Sequence, residues 1–167
     1  MKTLQRARPA LPMVLGARTA TDLMTPNPLS IRQSATVSEA ATFLASRGIS
    51  AAPVIDEAGR PVGVVSSTDI LIHVGQGAVY RVGSPEPPAL SGDGPRAEAT
   101  NRSTVRDVMT PGVFCVRPET PAAKVVEKML ALKVRRLFVV DGDGALIGVI
   151  SAIDVLGKLR SYGPDHG

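Results

Sequence analysis

Two aspartates, Asp69 and Asp154, close the same pattern, Gly-x-x-Ser-x-x-Asp, and lie 85 residues apart. A carboxylate near the start of a helix can accept hydrogen bonds from both hydroxyl groups of a vicinal diol. The serine hydroxyl and the first backbone N–H groups of such a helix suit phosphate oxygens. Arg135 and Arg136 add two guanidinium groups, which hold phosphates through charge-assisted hydrogen bonds. These residue types favour binding over catalysis, because no nucleophile stands beside a base.

Each of these residues also has a purely structural interpretation. A carboxylate in the first turn of a helix interacts favourably with the helix dipole, by about 0.3–1 kcal/mol. Ser66 and Ser151 could act only as helix N-caps, and the two arginines could line a solvated strand edge. Cys115 has apolar neighbours on a predicted strand, which is typical of an inert core thiol. The residue types alone leave both interpretations open.

The composition argues against several other classes of function. One cysteine and two histidines, His73 and His166, are too few for a thiolate zinc site or for histidine-based catalysis, so we expect no metal and no catalytic residue. The net charge of +4 resides in residues 1–20, while residues 21–167 are formally neutral. A surface that neutralises many phosphates needs more basic charge, so nucleic acid is not an expected partner.

The hydrophobic segments are too short for a membrane span. The longest apolar runs, such as residues 137–140, fall far short of the roughly 20 residues that a bilayer requires. Pro9 and Pro12 interrupt the apolar stretch near the N-terminus, which does not suit a secretion signal, so we expect a cytoplasmic protein without membrane association. With 44% hydrophobic residues, the 167-residue chain suffices for one domain or two small ones.

The chain contains an internal repeat with a shift of 85 residues. Asp22-Leu-Met-Thr-Pro26 aligns with Asp107-Val-Met-Thr-Pro111, and the two Gly-x-x-Ser-x-x-Asp patterns align as well. Between residues 21–72 and 106–157, 13 of 52 aligned positions are identical without a gap. The chain therefore holds two copies of one folding unit.

Each copy predicts the element order β-α-β-β-α. A short strand follows the Met-Thr-Pro turn, and an amphipathic helix with apolar residues at i, i+3, i+4 and i+7 follows the strand. Two strands joined by a turn that contains Gly and Asp come next, and a second helix ends the unit. The predicted first strands are 29–32 and 113–117, and the predicted first helices are 37–47 and 121–132.

The helix starts are marked by hydroxyl residues. Thr36 is the candidate N-cap in the first copy, and Thr120 is the candidate in the second, with Pro121 at the first helical position. Ser66 and Ser151 can cap the second helices. Both helices of a unit must cover one face of its sheet. Because so small a unit buries little by itself, we expect an α/β (α+β) fold in which two units pack sheet to sheet about a pseudo-twofold axis.

The composition also divides the chain into segments. Five glycines and four prolines separate the copies, which is typical of a flexible connection, although a short helix near 97–100 is an alternative there. The expected segments are a basic N-terminal tail (1–20), a first repeat (21–74), a Gly/Pro-rich linker (75–103), a second repeat (104–160) and a C-terminal tail (161–167).

The ordered set of motifs resembles the cystathionine-β-synthase (CBS) domain. The set consists of Asp-φ-Met-Thr-Pro, a strand, an Ala-rich helix, a Pro-Val-φ-Asp strand, a Gly turn and Gly-φ-φ-Ser-x-x-Asp, where φ is apolar. Each short motif is weak alone, but the ordered set occurs twice. Two copies resemble a CBS pair, also called a Bateman module, and the chain looks like a stand-alone CBS-pair protein.

This resemblance implies regulatory binding of adenosine-type ligands, such as AMP, ADP, ATP or S-adenosylmethionine, in clefts between the repeats. The aspartate would bind the ribose hydroxyls, and nearby hydroxyl residues would reach the ribose or the phosphate. One cleft would combine residues of both copies, with Arg135 near the phosphates: Asp154, Ser151, Thr25, Leu29, Ser30, Ser50 and Ala51. The other cleft would combine Asp69, Thr68, Ser66, Thr110, Phe114, Cys115, Arg135 and Arg136.

The two clefts are not equivalent in sequence. Ile153 stands where the family often has a hydroxyl residue, whereas Thr68 retains one, so we expect the Asp69 cleft to be the better equipped. The resemblance further implies a homodimer that associates through helix surfaces, and signalling to an unidentified protein partner. The alternative function is a ligand-free module for protein interaction or dimerisation.

Overall fold

The computed structural model describes residues 12–79 and 103–162. Within these ranges the chain forms ten strands and six helices. The strands are β1 (Met13–Leu15), β2 (Thr25–Pro26), β3 (Ile31–Arg32), β4 (Ala51–Ile55), β5 (Pro61–Ser66), β6 (Thr110–Pro111), β7 (Cys115–Val116), β8 (Arg136–Val140), β9 (Leu146–Ser151) and β10 (Leu159–Ser161). The helices are α1 (Ala20–Leu23), α2 (Val37–Arg47), α3 (Ser67–Val79), α4 (Val105–Val108), α5 (Ala122–Leu132) and α6 (Ala152–Gly157).

The strands form two four-stranded sheets and a separate two-stranded ribbon. The first sheet has the order β3-β4-β5-β6, the second has the order β2-β9-β8-β7, and β1 pairs with β10 in the ribbon. In both large sheets the first-strand pair, β3 with β4 or β7 with β8, is parallel, and the other pairs are antiparallel. Two similar halves of mixed α and β structure confirm the expected fold class.

The copies exchange their first segments. The Met-Thr-Pro segment, predicted from the sequence as a turn, supplies strand β2 to the sheet of the second copy, where Thr25 pairs with Val149. Its counterpart β6 joins the sheet of the first copy, where Thr110 pairs with Val64. Each large sheet therefore contains strands from both copies. We call residues 27–79 with 103–112 the first half.

The remaining described residues, 12–26 with 113–162, form the second half. Helix α1 crosses over with its strand, and Ala20 and Leu23 lie in the core of the second half. Helix α4 makes the reciprocal crossing, and Val105 lies in the core of the first half. Backbone hydrogen bonds fix both crossings, from Ala20 N to the Thr120 oxygen at 2.8 Å and from Val105 N to the Ala35 oxygen at 2.8 Å.

Gly63 and Gly148 let the exchanged segments approach the sheets. A Cβ atom on Gly63 would lie 2.7 Å from the Thr110 carbonyl oxygen and 2.8 Å from Met109 Sδ. A Cβ atom on Gly148 would overlap with Met24 Sδ. The glycine of Gly-x-x-Ser-x-x-Asp in each copy therefore contacts the methionine of Met-Thr-Pro in the other copy.

The start of the first helix agrees with the prediction in the first copy and differs in the second. Thr36 caps α2, since its hydroxyl accepts a hydrogen bond from Glu39 N at 3.1 Å. The N-cap of α5 is Pro121, not Thr120. The hydroxyl of Thr120 instead accepts from Arg117 N at 3.0 Å and stabilises the preceding turn, so the predicted cap is wrong there. The first strands, β3 and β7, are also shorter than predicted, with two residues each.

The ribbon and α3 extend regular structure into segments that the composition assigned to tails and linker. Residues 13–15 pair with Leu159–Ser161, which joins the two ends of the described chain. Helix α3 continues to Val79, so the first residues after 74 are helical. The rest of the predicted linker, including the alternative helix at 97–100, lies outside the described residues. Among the described helices, none combines the length and the apolar character of a membrane span.

Candidate functional site

A cleft of about 350 Å³ lies between the two halves. Both sheets contribute side chains to its walls, and most of these side chains are apolar. The lining from the first copy is Thr25, Pro28, Leu29, Ile49, Ala51, Pro53 and Val64, and the lining from the second is Arg136, Phe138, Val149, Ser151 and Asp154. The charged and hydroxyl groups of the second copy therefore face an apolar wall that comes mainly from the first.

Strand alternation explains why these apolar residues face the cleft. In β4, Ala52 and Val54 are buried in the core of the first half, and the residues between them point to the opposite face of the sheet. In β9, Ile150 is buried in the core of the second half, while Val149 and Ser151 are half-buried. Each central strand thus contributes one set of residues to its own core and the other set to the space between the halves.

Asp154 is held by the start of helix α6. Its Oδ2 accepts hydrogen bonds from Ser151 N at 2.7 Å and from the Ser151 hydroxyl at 2.5 Å. The same hydroxyl accepts from Asp154 N at 3.3 Å, which completes a capping box. Among the described residues, no hydrogen bond reaches the second carboxylate oxygen, Oδ1. One oxygen therefore stabilises the helix, and the other remains available to a molecule in the cleft.

Asp69 has the same arrangement at the start of α3. Its Oδ2 accepts from Ser66 N at 2.8 Å and from the Ser66 hydroxyl at 2.6 Å, and Asp69 N donates to that hydroxyl at 3.3 Å. Both aspartates are half-buried. The structural and the binding interpretations of these aspartates are therefore compatible, because each role uses a different oxygen atom.

The structure brings together part of the first predicted residue set. Thr25, Leu29 and Ala51 lie in the same cleft as Ser151 and Asp154. Ser30 is not among the lining residues of this cleft. Ser50 lines a separate groove between α2 and α3, and its carbonyl oxygen accepts from Ser67 N at 2.9 Å.

The arginine in this cleft is Arg136, not Arg135. Arg136 begins β8 opposite Ser151, with which it is paired in register. Arg135 precedes the strand, and its carbonyl oxygen accepts from Ala152 N at 3.0 Å. The family resemblance implied Arg135 near the phosphates of this cleft; in the structure Arg136 lines the cleft, and Arg135 is not among its lining residues.

The second predicted set, like the first, is divided between the two halves, on the elements equivalent to those of the first set. Thr110 is exposed on β6, and Phe114, which is 45% exposed, has a carbonyl oxygen that accepts from Phe138 N at 2.9 Å. Thr68 is exposed in the first turn of α3. Cys115 pairs with Phe138 in the sheet and also lines a groove beside α5.

Cys115 is not poised for chemistry. Burial raises the pKa of its thiol, and this effect exceeds the opposite effects of Lys128 and Arg117. The Lys128 ammonium group donates to the Cys115 carbonyl oxygen at 2.7 Å, so it is engaged by the backbone. Because the thiolate is the reactive form of cysteine, a raised pKa makes this thiol less reactive at neutral pH.

The apolar wall of the cleft was not predicted from the sequence. Its members share a half-buried or buried position on a strand or just beside one: Pro28, Ile49, Pro53, Val64, Phe138 and Val149. The alternation of residues along the central strands could have predicted this wall. One face of each sheet packs on the helices of its own half, so the apolar residues on the other face must contact something else. Within residues 12–79 and 103–162, His, Cys, Asp and Glu side chains form no group suited to a metal ion.

Comparison with known proteins agrees with this arrangement. The sequence profile of the CBS domain matches residues 20–75 and 105–161. The chain belongs to the CBS-domain family. The two copies are therefore two CBS repeats, and the cleft lies between the members of a CBS pair.

Several members of this family resemble the chain over most of its length. The chain is 32% identical over 133 residues to the chloroplastic CBS domain-containing protein CBSX1 of Arabidopsis thaliana, covering 75% of this chain and 56% of that protein. The crystal structure of CBSX2, from the same plant, in complex with AMP matches with a TM-score of 0.61 and 31% identity, covering 84% of this chain and 95% of that one.

A third match is part of a larger protein. The cytosolic domain of the Mg²⁺ channel MgtE in complex with ATP matches with a TM-score of 0.61 and 28% identity, covering 86% of this chain and 49% of that one. MgtE of Thermus thermophilus is also a sequence relative, at 29% identity over 144 residues. The chain spans between 22% and 66% of the length of the curated relatives that it matches.

Proposed function

We propose that this CBS pair is a regulatory module that binds an adenosine-type ligand between its repeats and passes the binding event to a partner protein. The observation that carries the proposal is the Asp154 carboxylate, which has one oxygen in a capping box and the other available in a cleft built by both halves. AMP in CBSX2 and ATP in MgtE support this choice of ligand class. S-adenosylmethionine also carries the ribose diol, and it belongs to the same proposal.

The dimensions and chemistry of the cleft suit this ligand class. Small-molecule sites have volumes of roughly 300–1,000 Å³ and apolar walls with a few placed polar groups. The cleft has about 350 Å³, an apolar wall around Pro53 and Phe138, and polar groups at Ser151, Asp154 and Arg136. A purine ring can pack on the apolar wall while the ribose reaches Asp154. Among the described residues that line the cleft, none is a histidine, lysine or cysteine.

Thermal unfolding tests this proposal directly. The full chain is melted with millimolar AMP, ADP, ATP or S-adenosylmethionine, and at least one of them is expected to raise the melting temperature. A ligand at 100 times its Kd adds about 2.7 kcal/mol to the free energy of unfolding. Asp154→Ala should lower the shift, and Asp69→Ala tests whether the equivalent aspartate also takes part in binding.

The control separates ligand binding from loss of a cap. Glu39 forms a capping box with Thr36 at the start of α2, away from the cleft lining. Glu39→Ala should destabilise the protein as Asp154→Ala does, but it should leave the ligand-induced shift unchanged. If no adenosine-type ligand moves the melting temperature of the wild type, the binding proposal is wrong and the ligand-free interaction module becomes the better interpretation.

We also propose that the module forms a homodimer through its helix surfaces. Leu71 on α3 and its counterpart Leu156 on α6 are 70% and 58% exposed, and Leu130 on α5 and Ile153 on α6 are 73% and 74% exposed. Leu71 and Leu156 are exposed at equivalent places in the two halves, so a second copy can cover both of them through one symmetric contact. Light scattering should give twice the chain mass, and Leu71→Lys with Leu156→Lys should give the monomer.

A further inference from the structure

A basic groove lies beside helix α5 of the second half. It has a volume of about 560 Å³, and α5 forms one side while the edge strand β7 and the turn after it form the other. The described residues that line it are all different from those that line the Asp154 cleft. Its charged lining residues are Arg117, Lys124, Glu127 and Lys128, which give this lining a net charge of +2.

The first half provides an internal comparison for this groove. The positions equivalent to its lining carry one cation and one carboxylate, Arg32 and Glu39, and are therefore neutral. Lys124 replaces Glu39, and Lys128 replaces Phe43. Both halves build this region from the same elements, β3 with α2 and β7 with α5. The fold itself therefore does not require the extra cations of the second half.

The arginine of the groove has lost the partner that its counterpart has. In the first half, Arg32 forms an ion pair with Glu57 at 2.8 Å. Arg117 is the equivalent of Arg32, but Gly142 stands at the position of Glu57. Arg117 is exposed, and within residues 12–79 and 103–162 it forms no ion pair. The first half thus neutralises its arginine internally, whereas the second half leaves the guanidinium group available to another molecule.

The two lysines of the groove differ in how they are held. Lys128 is half-buried, and its ammonium group donates to the Cys115 carbonyl oxygen at 2.7 Å, which fixes one cation beside β7. A lysine at a sheet edge also blocks the addition of a further strand, but this role accounts for Lys128 alone. Lys124 pairs with Glu127 at 2.7 Å, and both side chains are more than 60% exposed. An exposed pair of this kind is weak, so Lys124 can exchange Glu127 for another carboxylate.

The spacing of the lysines suits an extended peptide. Lys124 and Lys128 are four residues apart on α5, which separates them by about 6 Å along the helix axis. Alternate residues of an extended chain are about 6.6 Å apart and point to the same side. Carboxylates at alternate positions of a peptide therefore match the spacing of these cations.

We propose that the groove between β7 and α5 is a docking site for an acidic, extended segment of a partner protein. Charge complementarity selects this occupant, since the lining has a surplus of two cations and Arg117 lacks the carboxylate that Glu57 supplies to Arg32. The inference rests on the proposed function in one respect, because it names the kind of partner that the module contacts. It does not depend on which ligand occupies the cleft.

Binding of a synthetic peptide to the full chain tests the inference. The probe is a fluorescently labelled hexapeptide in which Glu alternates with Ala, and its control has Gln in place of Glu. Fluorescence anisotropy should show binding of the Glu peptide alone, and added salt should weaken it. Arg117→Gln with Lys128→Gln should raise the Kd of the Glu peptide about 3- to 30-fold. Arg32→Gln with Lys133→Gln removes the same number of charges outside the groove lining and should leave the Kd unchanged.

A substitution at Gly142 provides the sharper arm. Gly142→Glu copies Glu57 into the second half, where it should pair with Arg117 and weaken peptide binding about 2- to 5-fold. Gly142→Gln adds similar bulk without charge and should leave the Kd unchanged. A Cβ atom at Gly142 has no atom of residues 12–79 or 103–162 within 4 Å, and its φ is not positive, so both variants should fold. A melting curve of each variant verifies this.

The outcomes separate this inference from the proposed function. If the Glu peptide does not bind, or if Gly142→Glu and Gly142→Gln have the same effect, the docking site is wrong, while a melting-temperature shift with AMP would leave the nucleotide function intact. NMR titration should move the backbone amide signals of residues 115–131; shifts confined to other residues would also overturn the proposal. Inorganic phosphate that displaces the peptide with equal affinity would instead make the groove a site for small anions. If the peptide binds as expected and no adenosine-type ligand does, the docking site stands and the nucleotide function fails.

Discussion

The two halves of the molecule have similar backbones but carry different side chains at several equivalent positions. On the central strand of the second half, Arg136, Leu137 and Phe138 occupy the positions that Ala51, Ala52 and Pro53 hold in the first half. The positions that set the backbone are the same in both: the glycine under the exchanged strand, the Ser-x-x-Asp cap and the Met-Thr-Pro segment. The duplicated fold therefore depends on a few backbone-setting residues, while the residues around them differ, as Leu137 against Ala52 in the cores and Arg136 against Ala51 at the strand starts show.

The largest expected effect concerns the core of the second half. Leu137 is fully buried on β8, and its counterpart Ala52 is equally buried on β4. Leu137→Ala, which copies the first half into the second, should lower the free energy of unfolding by about 3–4 kcal/mol, because a cavity replaces the lost side-chain contacts. Chemical denaturation of the ligand-free protein measures this loss.

A second leucine serves as the matched control. Leu29 lies in the cleft, is 45% exposed and belongs to neither core cluster. Leu29→Ala should therefore cost about 1 kcal/mol or less in the same measurement. Equal losses in the free energy of unfolding for the two leucine variants would contradict the prediction, because burial of Leu137 would then add no stability beyond that of an exposed leucine.

The repeat in the sequence predicts most elements but not their partners. The 85-residue shift locates the helices and central strands, and the Thr36 and Ser151 caps lie where hydroxyl residues precede apolar stripes. The exchange of β2 and β6 is invisible in this alignment, because the two copies match equally well whether each strand stays in its own copy or crosses to the other. Only the structure shows that Met24 packs against Gly148 of the other copy, which places β2 in the sheet of the second copy.

The candidate site was partly predictable for a related reason. Asp154 and Ser151 follow from the capping pattern, whereas the choice between Arg135 and Arg136 depends on where β8 begins. A shift of one residue along a strand moves a side chain to the other face of the sheet. Strand ends are weakly encoded in sequence, so the arginine that lines the cleft could not be selected without the structure.

The exchanged segments provide a second, smaller test of the comparison. Gly63→Ala should cost about 2–3 kcal/mol, since the new methyl group would meet the Thr110 carbonyl oxygen, which belongs to the backbone. Gly148→Ala should cost about 1 kcal/mol, because its closest contact is the flexible Met24 side chain. Denaturant unfolding of both variants measures the difference.

Rescue and control variants make this test specific. Met24→Ala added to Gly148→Ala removes the side chain that the new methyl group meets, and it should recover part of the loss. Gly75 lies in the exposed part of α3, and a Cβ atom added there would have no atom of residues 12–79 or 103–162 within 4 Å. Gly75→Ala should therefore stabilise the helix by about 0.5–1 kcal/mol. If Gly63→Ala is as harmless as Gly75→Ala, the close approach of β6 to β5 is not part of the fold in solution.

The smallest expected effect compares the capping boxes of the two exchanged helices. Asp22 accepts from Arg18 N at 2.8 Å and from Thr19 N at 3.0 Å, and these backbone donors lower the pKa of its carboxyl group. Asp107 accepts from Thr104 N and from the Thr104 hydroxyl, both at 2.8 Å, and its pKa is lowered by these hydrogen bonds. Within the described ranges, Asp22 thus accepts from two backbone N–H groups and Asp107 from one.

These carboxylates should make stability depend on pH in the acid range. A folded-state pKa below the ordinary value of about 3.9 means that the folded state favours the charged carboxylate. The stability that each carboxylate contributes is therefore present above that pH and is lost as the pH falls through the lower folded-state pKa. Asp22→Asn should lower the melting temperature at pH 7, and its difference from wild type should shrink below a pH of about 3.9. Asp107→Asn should show the same pH dependence, with a smaller difference in melting temperature from wild type. The capping N–H groups favour the charged carboxylate over the neutral one, so the difference in melting temperature should depend on pH. If the difference between variant and wild type stays constant down to a pH of about 2.5, the loss comes from altered geometry and not from the lost charge.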